Sequence, residues 1–438
     1  MIDDLTQMDY PRYDSYKDSG VDWLGEIPEG WDTKRLKYVL SERNERSKTG
    51  DEPLLMVSQK YGLVIRADYH AKATVALSSV DNKIVYKNDL VFNKLKAHLG
   101  VFYKSEIDLK GIVSPDYAVY KSKAYVEDLK FLELLFKLPT YIQQFIIRST
   151  GVAEGLIRLY TSELFDLPIP IPPLSEQKKI LEFIENEFVQ IDQAIHLKQQ
   201  QITKLEEYKQ IVIQNAVTKG LNPDAPMKDS GVDWIGNIPT HWEVKKLKFI
   251  SRINNSTLPE KTDSKLEIKY VDIGSVTFEE GVVRTEAFDF GNAPSRARRI
   301  AKNHDTIIST VRTYLKAIDY IDNEKSNYIY STGFAVLTPN QQIKPKFLTS
   351  FVWSNAFTNQ VRDFSKGVSY PAINSSDLGN LFISLPPHEE QKEIIEYINS
   401  KSRQINSSIN NIKLGIDRLK EYKTILINQA VTGKIKVV

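Results

Sequence analysis

The sequence contains no cysteine. Disulfides, thiolate zinc sites, iron–sulfur clusters and cysteine nucleophiles are therefore excluded, which fits a reducing compartment. Histidine is scarce too: six residues are scattered with no two at metal-ligand spacing, so no metal site is expected. No apolar run approaches the roughly 20 residues of a membrane span. The acidic opening MIDDLTQMDY is also unlike a secretory leader, which needs a basic start and an apolar core. These absences describe a soluble, cytoplasmic protein with no membrane partner. Charge of one sign is lacking as well: 58 basic and 56 acidic residues leave a net +2. A phosphate-rich partner would have to be met by locally concentrated positive charge.

Signatures of catalysis are missing in the same way. There is no GxxxxGK loop for a nucleotide. The Pro-Pro pairs, in IPPL and LPPH, lack the Asn or Asp before and the aromatic after that an amino-methyltransferase uses. Pro115-Asp116 followed by Asp128-Leu129-Lys130 imitates a nuclease carboxylate–lysine motif, whose carboxylates would hold Mg²⁺ from adjacent strands. Asp128, however, opens an amphipathic helical stretch, and nothing matches it in the second half of the chain. No catalytic residue and no cofactor are expected. What remains is ordinary globular composition, 41% hydrophobic and 26% charged over 438 residues, enough for two or three domains.

The chain repeats itself. Residues 17–39, KDSGVDWLGEIPEGWDTKRLKYV, match 228–250, KDSGVDWIGNIPTHWEVKKLKFI, at 14 of 23 positions and an offset of 211. PPLSEQKKILEFIENEF (172–188) and LEEYKQIVIQNAVT (205–218) recur at 386–402 and 419–432, both at an offset of 214. Two halves thus share their ends and differ in their middles, the mark of a duplicated unit.

Each half closes with a long helix. No proline or glycine interrupts 175–217, and apolar residues fall in alternating steps of three and four. Ile184, Ile191, Leu205 and Val212 mark one seam. Ile398, Ile405, Ile412 and Leu419 mark the other. Such narrow seams predict an antiparallel coiled coil of helices 175–217 and 389–431. At 1.5 Å per residue each helix is about 65 Å long. Gly220 and LNPDAP end the first helix and start a short linker. The divisions expected are 1–173, a helix at 174–220, a second domain at 221–387, and a helix with its tail at 388–438.

The middles predict mixed α/β structure. KIVYKNDLVFNKL (83–95), GIVSPDYAVY (111–120), DTIISTVRTYL (305–315) and IYSTGFAVL (329–337) are rich in β-formers and bounded by turn residues. Helical periodicity follows at 126–138 and 345–364. Turn-rich loops at 149–160 and 365–378 then lead to a last short strand.

The DSGVDW-x-G-x-IP-x-x-W opening, the PP-x-x-EQ helix start and the EYK…A-VT helix end resemble the specificity subunits of Type I restriction–modification enzymes, over essentially the whole chain. The resemblance implies two target recognition domains in a pseudo-two-fold arrangement, each reading half of a bipartite site on double-stranded DNA. It also implies two methyltransferase subunits docked on the repeated helices, restriction subunits joining afterwards, and no catalytic centre in this chain. A coiled-coil adaptor joining two protein partners without reading DNA is the alternative left by the residues themselves.

Under the DNA reading, basic residues beside aromatics and hydroxyls are the contact candidates. In the first half they are Gln59, Lys60 and Tyr61 in a polar turn, Lys94, Lys96 and His98 after a strand, and Arg158 and Tyr160. In the second half they are Arg296, Arg298 and Arg299, then Arg312, Thr313, Tyr314 and Lys316, and finally Lys366, Ser369 and Tyr370. Trp23, Trp31, Trp234 and Trp242 recur where the recognised sequence must differ. They are therefore expected in the core or at subunit contacts rather than at bases.

Overall fold

The computed structural model describes residues 10–69, 79–153 and 156–437; the acidic opening up to residue 9 lies outside them. The chain forms two compact units, Met1–Lys198 with Leu414–Val438, and Gln199–Lys413. Both boundaries fall inside the long helices Leu174–Lys219 and His388–Val431, so each unit holds part of both.

The first unit is framed by its ends. Strand Asp32–Arg35 pairs antiparallel with Pro168–Ile171, bringing the start and finish of the divergent middle together. Between them runs a four-stranded antiparallel sheet in the order Leu40–Glu42, Tyr117–Ser122, Leu90–Asn93, Phe102–Lys104. Helices Lys130–Leu135 and Pro139–Arg148 supply Phe131, Phe136, Tyr141 and Phe145 to the core beneath it, all fully buried.

In the second unit, strand Glu243–Lys246 pairs with Phe382–Leu385. The matching sheet runs Ser251–Ile253, Phe334–Pro339, Thr306–Ser309, Ile318–Tyr320. The helical stretch 345–364 is two helices, Pro345–Trp353 and Asn355–Phe364, broken at the buried Ser354. A second sheet orders Glu286–Asp289, Glu267–Val271, Tyr328–Ser331 and Ala297–Ile300, with the middle pair parallel.

The recurring motifs have structural work in both units. Trp31 and Trp242 are fully buried. The Trp242 Nε1 donates to Glu390 at 3.0 Å, the carboxylate of the second PP-x-x-EQ. The glutamines of that motif are buried as well. Gln177 Nε2 donates to the carbonyls of Tyr125 and Pro172 at 2.7 and 2.8 Å, and Gln391 Nε2 to those of Gln342 and Pro386 at 3.1 and 2.9 Å. A side-chain amide is needed there because carbonyls buried at a helix start must find donors.

The long helices run antiparallel within each unit. In the first, Lys423 pairs with Asp192 at 2.8 Å. Further along the same helix, a Cβ on Gly415 would lie 3.4 Å from Lys198 Nζ. In the second, Lys209 Nζ donates to Asn406 at 3.2 Å, and Gly220 lies beside Glu390. Ile184, Ile191, Val212, Ile398 and Ile405 are buried along these pairings, while Leu205, Ile412 and Leu419 are half-buried.

Candidate nucleic-acid interface

Strand Thr306–Ser309 carries the second unit's basic turn. Its end is closed by a short 3-10 turn, Thr313–Leu315, flanked by Arg312 (φ 52°) and Lys316 (φ 46°) in left-handed backbone. The loop after helix Asn355–Phe364 docks on this turn. The Ile373 and Thr313 N–H groups donate to the Thr310 and Pro371 carbonyls at 2.8 and 3.3 Å. The Thr313 hydroxyl lies 3.0 Å from that of Ser365, and the Arg312 guanidinium stacks 5.2 Å over the Tyr370 ring. Lys366 and Ala372 exchange two backbone hydrogen bonds at 2.8 and 2.9 Å, so 367–371 project as a closed tip bearing the exposed Ser369. The two segments singled out by sequence are one surface here.

Backbone contacts tie the arginine stretch to it. The Arg296 carbonyl accepts from Thr332 N–H at 2.8 Å, and the neighbouring Gly333 carbonyl accepts from Thr310 N–H at 2.7 Å. Arg296 is exposed, whereas Arg298 and Arg299 are half-buried. Arg298 lies over Phe290 at 4.7 Å, and burial pulls the Arg299 pKa down. Lys316 is also shielded: burial lowers its pKa, and its Nζ sits 5.3 Å from the Phe278 ring centroid and 3.3 Å from Asn355 Oδ1. Thr313 is buried, so it braces the turn.

The first unit builds the same feature from other residues. Strand Leu90–Asn93 ends in the turn Lys94–Leu99, capped by Asn93 Oδ1 on Leu95 N–H at 2.9 Å and closed by Gly100 at φ 64°. The 149–160 loop contains a hairpin, Thr150–Ala153 with Leu156–Arg158, which composition alone read as turn. Leu159 N–H donates to the Lys94 carbonyl at 3.0 Å, docking hairpin on turn.

The candidates here divide by what they touch. Lys96 and Tyr160 are exposed, and Arg158 is half-buried between Asp116 at 3.2 Å and the Tyr160 ring. Lys94 faces inward, 3.6 Å from Glu42, which also holds the buried Lys83 at 2.9 Å; burial lowers the Lys94 pKa. His98 is half-buried. Gln59, Lys60 and Tyr61 form the exposed tip of the hairpin Leu55–Ser58 with Gly62–Ile65, where Lys60 covers Tyr61 at 4.8 Å.

Sequence reading passed over three exposed apolar side chains on these surfaces: Leu99, Leu315 and Val368. Leu99 and Leu315 each stand on the turn ending the third strand of the sheet. The available signal was an apolar residue set among basic and hydroxyl residues in a turn. Trp23 packs edge-on to Tyr141 at 5.1 Å, while the exposed Trp234 donates to Asp363 at 2.7 Å.

Among the described residues no group of three His, Asp or Glu side chains could hold a metal ion. Asp116 is taken by Arg158, and Asp128 by Lys104 at 2.9 Å. A cavity of about 370 Å³ in the second unit is lined by Glu206, Glu207, Glu279 and Glu280, the wrong sign for phosphate. No helix is long and apolar enough to cross a membrane among those described.

The sequence matches the family described as Type I restriction modification DNA specificity domain twice, over residues 28–207 and 239–417. The chain belongs to this family. The specificity subunit of Type I restriction enzyme MjaVIII from Methanocaldococcus jannaschii is 24% identical, with 94% of each chain covered. The EcoBI specificity subunit of Escherichia coli is 25% identical over 66% of this chain and 64% of its own. A crystal structure of the HsdS subunit from Thermoanaerobacter tengcongensis shares the fold, with a TM-score of 0.51 and 19% identity over 93% of this chain and 98% of that one. A structure from work on complex assembly and conformational transition of the type I system aligns at 0.63, with 18% identity over 92% and 98%. This specificity subunit is a non-catalytic component that recognises a DNA target within the restriction–modification complex. That membership favours DNA recognition over the adaptor alternative.

Proposed function

We propose that residues 1–173 and 221–387 each read one half of a bipartite site on double-stranded DNA through the turn-and-loop surfaces described above. The observation that carries this is positional. Both units end the same strand of the same sheet in a basic turn, dock a later loop on it, and place different side chains there. Arg312, Tyr314, Lys366, Ser369 and Tyr370, joined by Arg296, are the second unit's contacts. Lys96, Arg158, Tyr160 and the Gln59–Tyr61 tip are those of the first. Arginine suits guanine O6 and N7, glutamine suits adenine, and lysine holds phosphate. Two methyltransferase subunits and the restriction subunits complete the assembly, in the cytoplasm.

The test is binding to half-site variants across a range of salt. Arg312→Ala should weaken binding to the second unit's half-site by about 1–3 kcal/mol and relax base preference there. Lys96→Ala should weaken binding uniformly across sequences and reduce the salt slope by about one. Wild-type affinity for both at every salt concentration would remove these surfaces from the interface.

A further inference from the structure

At an offset of 214, Tyr208 corresponds to Tyr422, Ile211 to Ile425 and Tyr397 to Phe183. The first unit covers its set. Tyr10 stands edge-on to Phe183, with centroids 5.2 Å apart and planes at 88°, and its hydroxyl lies 3.4 Å from that of Tyr422. Three residues on, Tyr13 packs edge-on to Trp31 at 6.0 Å and donates to Glu176. Pro11, between them, accepts from Lys436 N–H at 2.6 Å, so the segment lies extended against the C-terminal tail. Tyr422 is only 9% exposed as a result.

The second unit leaves the same face bare. Tyr208 is 49% exposed, Ile211 55% and Tyr397 37%. The cause is connectivity. In the first unit two separate pieces of chain pass this end, the tail at 433–437 and the arm at 10–14. In the second, one continuous linker at 220–226 leads from the helix into strand Met227–Asp229. Leu221 holds the sequence position of Tyr10 and is itself 38% exposed. Two tyrosines and an isoleucine kept on matching helix positions, but uncovered, form an apolar patch of the kind that marks a contact.

We propose that this face of the second unit seats an extended, aromatic-bearing segment of another subunit of the complex, in the manner of Tyr10–Tyr13 in the first. The incoming ring stands edge-on to Tyr397 with its polar tip toward the Tyr208 hydroxyl. Lys401, 5.9 Å over the Tyr397 ring, occupies the position that Glu187 holds in the first unit. An acidic residue beside the aromatic therefore suits this seat. The chain's own arm is tethered beside the first seat and held there by effective concentration, and a second copy would have to give up its own. The inference rests on the reading of this chain as one subunit of a multisubunit enzyme.

The experiment is radical footprinting of tyrosines in the full chain, alone and reconstituted with the methyltransferase subunits. Labelling of Tyr208 and Tyr397 should fall on assembly, while that of Tyr422 stays low throughout. Tyr208→Ala with Tyr397→Ala should weaken assembly by about tenfold, as truncated aromatic anchors do, and Tyr208→Phe with Tyr397→Phe should restore most of it. Unchanged labelling of both tyrosines in a complex that assembles overturns the proposal and leaves the functional reading standing. Protection that instead grows with concentration of the isolated chain points to a second copy and also overturns it. Failure of the wild-type chain to assemble removes the reading beneath it.

Discussion

The two units solve one problem at the same place with different chemistry. Asp89 and Asp305 both follow a residue in left-handed backbone, Asn88 and His304, and both are buried beside the strand that bears the basic turn. In the first unit Arg43 grips Asp89 with two hydrogen bonds of 2.8 and 2.9 Å. In the second, Asn254 stands where Arg43 does, its N–H on Val336 as Arg43's is on Val119, and its side chain bonds Val336 and Ser375. Asp305 keeps the Lys302 N–H at 2.7 Å, and burial raises its pKa. A buried carboxylate can be held by a cation or by backbone dipoles; the choice decides what each unit tolerates.

Equivalent substitutions should therefore have unequal effects. Asp89→Asn leaves the Arg43 guanidinium facing a neutral amide and should cost the first unit about 3 kcal/mol. Asp305→Asn should be close to neutral, since an amide oxygen can still accept from Lys302. Hydrogen exchange at Leu90–Asn93 and at Thr306–Ser309 reads the two units separately. Equal losses would mean that Arg43 does not distinguish them.

Acid should separate the units next. In the first unit, burial raises the Glu42 and Glu133 pKa values, but the buried Lys83 beside Glu42, and Lys137 and Lys130 beside Glu133, more than offset it, leaving both below the ordinary 4.5. Their contribution is full above that value and is lost as pH falls through the lowered one. Asp305 behaves oppositely: its pKa lies above the ordinary 3.8, so its penalty is felt at higher pH and relieved as pH falls. On acidification the first unit should lose exchange protection before the second. The reverse order would contradict the assigned environments.

Much of the frame was legible in the sequence because its motifs recur. The helices observed at Leu174–Lys219 and His388–Val431 differ from the expected spans by one or two residues at each end. That the unlike middles carry one sheet was not legible. Its strands are three to six residues long, and their partners lie far away in sequence. Side-chain alternation says which face is inward but not which strand is adjacent. Candidate residues suffered in the same way. Lys94 reads as a surface lysine until Glu42, some fifty residues earlier, is placed beneath it. The grouping of Arg312 with Tyr370 likewise depends on a loop that returns from another helix.

Smaller effects sharpen the comparison at the turns. Gly100 and Lys316 both close the turn in left-handed backbone. A Cβ at Gly100 would meet Ile142 at 3.0 Å, so Gly100→Ala should destabilise the first unit by about 2 kcal/mol in denaturant titration. Lys316→Gly should relieve strain worth up to about 1 kcal/mol. A loss on Lys316→Gly would mean that its contacts with Phe278 and Asn355 outweigh the strain. Smallest is the helix pair. Asp192 and Asn406 correspond at an offset of 214, and only the first forms an ion pair. Asn406→Asp should add about 0.5 kcal/mol of salt-sensitive stability to the second unit, and Asp192→Asn should remove a similar amount from the first.

The strand pair that closes each middle, Asp32–Arg35 with Pro168–Ile171 and Glu243–Lys246 with Phe382–Leu385, has an evolutionary consequence. An interior that enters and leaves through neighbouring strands is, to the rest of the chain, an insert with fixed sockets. Its length and sequence can drift, or be replaced wholesale by recombination, without moving the surfaces that other subunits recognise. New target specificities can therefore arise by exchange of a cassette, with no compensating change in any partner gene.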